Sequence, residues 1–76
     1  GMIRITMELY QHPADQGTWT SRCVDLDILS AAMTPETALE AIAEAVRMTV
    51  QYHAKRNGLT TEQAFIDLIR RANVDR

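Results

Sequence analysis

The chain has 76 residues, of which 46% are hydrophobic and 24% charged, and a formal net charge of −2. A chain of this size holds one domain and buries only about 60% of the surface its unfolded form exposes, so self-association is a common supplement to the core. The slightly acidic balance gives no electrostatic basis for whole-chain binding to nucleic acid or to an anionic membrane surface.

No apolar run approaches the roughly 18 residues of a membrane span, and no signal-peptide pattern opens the sequence. Gly1 ahead of Met2 reads as a cloning scar. The single cysteine, Cys23, has no internal disulfide partner, which fits a reducing, cytoplasmic setting.

Ile3, Ile5, Met7 and Leu9 alternate with Arg4, Thr6, Glu8 and Tyr10. Strict period two predicts a strand with one buried face. Residues 11–17, QHPADQG, interrupt it and predict a hairpin loop longer than the tightest type. Extended character returns over Thr18–Val24, with Trp19, Ser21 and Cys23 on one face and Trp19 as the expected anchor on a helix. Asp25-Leu26-Asp27 reads as a turn, and Ile28–Met33 as a short third strand.

Thr34-Pro35-Glu36 then marks a helix start: a hydroxyl for the N-cap, a proline at the first helical position, and a carboxylate near the positive end of the dipole. The helix runs to about Arg56, where Lys55 and Arg56 complement its negative end and Asn57-Gly58 stops it. Leu39, Ile42, Val46, Val50 and His53 form one stripe along it. Ala41, Ala45, Met48 and Tyr52 form a second, and Glu36, Glu40, Glu44, Arg47, Gln51 and Lys55 share the remaining side.

The apolar arc is wider than one sheet face needs. Thr60 and Gln63 have capping-box spacing ahead of a second helix over about Thr61–Asn73, whose apolar stripe is Phe65, Leu68, Ile69 and Ala72. Residues 58–76 thus form a C-terminal helical extension. Ala41, Ala45, Met48 and Tyr52, with Phe65, Leu68 and Ile69, make up a candidate interaction seam, closed either within the chain or by a second subunit.

Chemistry-bearing residues are few. His12, beside Pro13 and three residues before Asp15, reads as a solvated loop histidine rather than half of a catalytic pair. His53 reads as a packing or capping group. The two histidines and Cys23 lack metal-ligand spacing, and the three scattered glycines form no phosphate loop. Asp25 and Asp27 have the look of paired carboxylates but also of an ordinary strand-ending turn. No catalytic, cofactor or metal site is predicted. Arg70, Arg71, Lys55, Arg56 and Arg76 make the C-terminal third locally basic, without the interleaved aromatics of a nucleic-acid surface.

Gly17-Thr18-Trp19, Val24-Asp25-Leu26-Asp27-Ile28, Ala32-Met33-Thr34 and the helix start Pro35-Glu36-Thr37-Ala38-Leu39-Glu40-Ala41 fall in an order that resembles the HicB-like antitoxin domain, over about residues 3–50. That family has an aromatic second strand, a Pro-Asp-Leu-Pro-Gly turn, a Gly-x-Thr cap and a Glu-Ala-rich helix. Here the turn lacks both prolines and its glycine, and alanine stands before the cap. A helix also replaces the family's fourth-strand segment.

The resemblance implies an α+β fold, with a three-stranded antiparallel sheet packed on one long helix, in an often oligomeric bacterial cytoplasmic protein. It implies a non-enzymatic role: binding and occluding a small ribonuclease toxin. Residues 58–76 are too few for a helix-turn-helix and show no ribbon-helix-helix pattern, so direct nucleic-acid binding is not expected. Two other classes of function compete. One is a small ligand-binding or enzymatic domain with a pocket between sheet and helix and Cys23, Asp25 or His53 at its mouth. The other is a self-associating subunit without a toxin partner.

Overall fold

A computed structural model of the chain describes residues 4–74. Three strands, β1 (Met7–His12), β2 (Asp15–Cys23) and β3 (Ile28–Ala32), precede two helices, α1 (Pro35–Asn57) and α2 (Thr61–Val74). The strands form one antiparallel sheet in the order β1-β2-β3. It packs on the long helix α1, so the fold is α+β with a shorter helix at its end.

The first strand starts later and ends later than alternation alone suggests. Ile3 lies outside the described residues, and residues 4–6 precede the strand, although the Thr6 carbonyl still accepts from the Val24 amide at 2.9 Å. The expected long hairpin loop is instead a two-residue turn, Pro13-Ala14. The surplus length is absorbed inside the ladder: Gln11 faces Trp19, whereas the next residue, His12, faces Asp15. Such an irregularity lets polar residues stay in an edge pairing. Local bonds hold it: Asp15 accepts from the Gly17 amide at 3.2 Å and the Thr18 hydroxyl at 2.8 Å, and His12 Nδ1 accepts from the Ala14 amide at 3.1 Å.

The turn between β2 and β3 has Asp27 in the left-handed region at φ 54. Asp25 accepts from the Thr6 amide at 2.6 Å, while Asp27 and Glu8 clamp the Arg22 guanidinium at 3.1 and 3.0 Å. Both aspartates of the turn therefore have separate structural partners rather than a shared site.

On the inner sheet face Ser21 and Cys23 are fully buried, and Ser21 donates its hydroxyl to the Ser30 carbonyl across the ladder. Trp19 is only half-buried, so the central strand is anchored on α1 by these two small side chains. Thr34 caps α1 with extended backbone and accepts from the Thr37 amide at 3.1 Å, while the Thr37 hydroxyl accepts from the Thr34 amide at 3.3 Å. This reciprocal pair closes a capping box that the sequence pattern, looking for Glu or Gln at that position, misses. Gly58 ends the helix at φ 64, and the Leu59 amide donates back to the Ala54 carbonyl.

The buried line of α1 is Ala38, Ile42, Val46, Val50 and Ala54. Steps of four advance about 40° each at roughly 100° per residue, so the buried line winds around α1 from the sheet side toward α2. That winding corrects the expected stripe. Leu39 is 42% exposed because the buried line at the N-terminal end has turned toward Ala38.

The predicted second helix and its cap are present. Thr60 accepts from the Gln63 amide at 3.1 Å and donates its own amide to the Gln63 side chain at 2.9 Å. Ala64 is fully buried, and Phe65 and Leu68 pack against the cluster that holds Cys23, Ile42, Val46, Val50 and Ala54.

Candidate functional site

The seven residues of the candidate seam divide into two groups. Phe65 and Leu68 close the core from α2, and Ile69 is half-buried on the same helix. They meet the side of α1 that carries Val46, Val50 and Ala54, not the alanine stripe. A groove of about 290 Å³ remains there, lined by Ile5, Met7, Ala43, Val46, Arg47, Val50, Gln51, Thr61 and Phe65. At about 100° per residue, Ala41, Ala45, Met48 and Tyr52 lie on the other flank of α1, turned away from this groove. Ala41 and Ala45 are half-buried, whereas Met48 is 59% and Tyr52 65% exposed. Tyr52 is also held in place: its hydroxyl accepts from Arg56 Nη1 at 2.9 Å, and the guanidinium carbon lies 5.9 Å from its ring centre.

His53 is largely enclosed, with 14% of its side chain exposed. The Asp67 carboxylate can only accept, so His53 Nε2 carries the proton and donates to Asp67 Oδ2 at 2.7 Å. Nδ1 is then left to accept from Asn57 Nδ2 at 3.2 Å. The same Asp67 oxygen accepts from Arg71 Nε at 2.9 Å. Hydrogen bonding to His53, and then to Arg71, holds the Asp67 carboxyl below its ordinary value.

Both ring nitrogens are thereby occupied, and the cluster works as a latch between α1 and α2. The helical stripe of the sequence puts His53 on a packed face, whereas no local pattern gives Asp67 a partner. The signal was the polar residue set between Ile66 and Leu68 on the face that meets α1. A solvent-open cleft of about 450 Å³ lies beside the latch, between Asn57, Leu59, Gln63, Ile66, Asp67, Arg70 and Arg71.

The residues expected at the mouth of a pocket between sheet and helix are dispersed. Cys23 is buried in the core, Asp25 is bonded to the Thr6 amide and His53 to Asp67. None of the three lines the groove against Ile5 and Met7. Among the described residues no three His, Cys, Asp or Glu side chains cluster closely enough to hold a metal ion, and no helix is long and apolar enough to cross a membrane.

The outer face of the sheet has no layer over it among the described elements. By alternation it carries Glu8, Tyr10, Thr20, Arg22, Leu29 and Ala31, with Leu29 61% exposed. β1 and β3 are both edge strands. Among the described residues, the surfaces open to a macromolecule include the Met48–Tyr52 flank of α1, the outer sheet face and the two edge strands. The chain matches no protein-family model, no curated protein and no solved structure.

Proposed function

We propose that this chain is a non-enzymatic protein-interaction module of the HicB-like antitoxin type, which binds a partner protein, occludes its working surface and also self-associates. The observation that carries the proposal is the uncovered flank of α1. Two bulky apolar side chains, Met48 and Tyr52, align there with two alanines that permit close approach, while α2 is already committed to the opposite flank. Aligned exposed apolar groups of this kind mark interaction surfaces. Among the described residues β1 and β3 are the edge strands of the sheet, which adds a second mode, the addition of a partner's strand.

The resemblance over residues 3–50 supplies the partner class, a small ribonuclease toxin in the bacterial cytoplasm. The ligand-pocket reading is weaker on size. The groove of about 290 Å³ sits at the bottom of the roughly 300–1,000 Å³ range of small-molecule sites, and it lacks the groups expected to do chemistry.

The test is co-expression with the product of a neighbouring gene encoding a small basic protein. The pair is expected to copurify, and the partner's ribonuclease activity to fall in proportion to added chain. A partner that stays fully active with the chain in excess, or a gene neighbourhood with no such protein, overturns the toxin reading.

A further inference from the structure

Resting on that reading of the α1 flank, we propose that its occupant in self-association is a second copy of this chain, docked antiparallel along α1 about a two-fold axis near residues 46 and 47. Ala41, Ala45, Met48 and Tyr52 are separated by steps of four, three and four, the pattern of a short coiled-coil seam. Their order along the helix is small, small, large, large. A parallel pairing would set Tyr52 against Tyr52 and leave a gap between the alanines. An antiparallel two-fold pairing centred between residues 46 and 47 instead sets Ala41 of one copy level with Tyr52 of the other, and Ala45 level with Met48. Each large side chain then fills the space left by a small one, and the interface is self-complementary as a two-fold requires.

Charge points to the same occupant and the same direction. Glu40 and Glu44 lie in the N-terminal half of α1, and Lys55 and Arg56 in the C-terminal half. Antiparallel docking lays the acidic half of each copy beside the basic half of the other, and opposes the helix dipoles; parallel docking would align like charges. Glu40 and Lys55 share the charged side of the helix and come within two residues of level across the two-fold. Tyr52 enters the contact already fixed by Arg56, which lowers the ordering cost of burying it.

The decisive experiment uses the whole chain with single cysteines introduced at the ends of the seam. Positions 41 and 52 are eleven residues apart, about 16 Å along a helix rising 1.5 Å per residue. Native Cys23 is fully buried and does not compete. A mixture of the Ala41→Cys and Tyr52→Cys proteins is expected to form a mixed disulfide dimer under mild oxidation, while neither protein alone does. Cross-linking of Ala41→Cys to itself would show parallel docking and overturn the proposal.

Sedimentation velocity gives the second arm. The wild-type chain is expected to shift from monomer toward dimer with rising concentration, and the exposed substitution Met48→Lys to abolish the shift without loss of helical circular dichroism. Gln51→Glu, on the opposite flank, is expected to leave it unchanged. A chain that stays monomeric at every concentration, or a dimer indifferent to Met48→Lys, overturns self-docking. The toxin reading is tested separately by the copurifying partner, so either can fail without the other.

Discussion

Ile42 and Leu39 belong to the same stripe when α1 is drawn as a wheel, yet the structure assigns them opposite weights. Ile42 is the largest fully buried side chain, whereas Leu39 keeps 42% of its surface in water. Ile42→Ala removes three carbons, worth about 2.4 kcal/mol at roughly 0.8 kcal/mol per buried methylene, and leaves a cavity that raises the cost to about 3–4 kcal/mol. A domain of this length has about 4–11 kcal/mol of stability in all, so this variant should sit near the edge of unfolding. At about 4–8 °C per kcal/mol, its Tm should fall by about 12–32 °C.

Leu39→Ala leaves no enclosed cavity and should cost about 1 kcal/mol or less. Urea titrations of both variants, followed by far-UV circular dichroism and fitted with a common slope, give the comparison directly. If the two midpoints drop equally, the buried line of α1 does not run through Ala38 and Ile42 in place of Leu39.

Gly58→Ala should cost about 1 kcal/mol, because at φ 64 a side chain is strained while nothing within 4 Å would touch the added methyl. Gly58→Asn should cost visibly less in the same thermal melt, and equal losses would point to packing rather than backbone conformation. The latch between the helices makes a pH prediction. Asp67 has a folded pKa lowered by His53 and Arg71, so its ionised form stabilises the fold above its ordinary value of 3.8, and that contribution is lost as pH falls through the lower folded value. The acid end of the stability curve of Asp67→Asn should therefore be flatter than that of the parent, with the difference confined to that window. Parallel acid limbs would show that the latch carries no pH-dependent stability.

Local chemistry made much of this fold legible. Thr34-Pro35, Asn57-Gly58 and Thr60 with Gln63 placed the helix ends within a residue or so, because caps act through bonds only a few residues long. The alternation of Met7 to Tyr10 and of Trp19 to Cys23 gave the sheet its faces. What failed was longer-ranged. The hairpin looked open because Pro, Asp and Gly suggest loop, whereas a register shift lets β2 carry those residues as strand.

Leu39 looked buried because a fixed stripe on a helical wheel does not follow the winding of the buried line toward Ala38. Phe65 and Leu68 shared a candidate seam with Ala41 and Met48 because periodicity shows which faces are apolar, not which faces meet. Asp67 was invisible as a partner of His53, since the two are fourteen residues apart with a helix break between them.

The manner in which α2 is attached bears on how the chain opens and closes. Among the described elements, its backbone approaches α1 alone, while α1 also meets all three strands. Sheet and long helix therefore form one cooperative unit, to which α2 is added through Ala64, Phe65, Leu68 and the His53–Asp67 bond. Detaching α2 breaks none of the sheet's hydrogen bonds, so it is the least expensive sub-global excursion open to the molecule. Amide hydrogens of α2 should then exchange as a group, ahead of those of β2 and the middle of α1. Each such excursion uncovers the side of Val46, Val50 and Ala54 that α2 covers, and briefly turns a helix with one exposed apolar flank into one that is apolar on both.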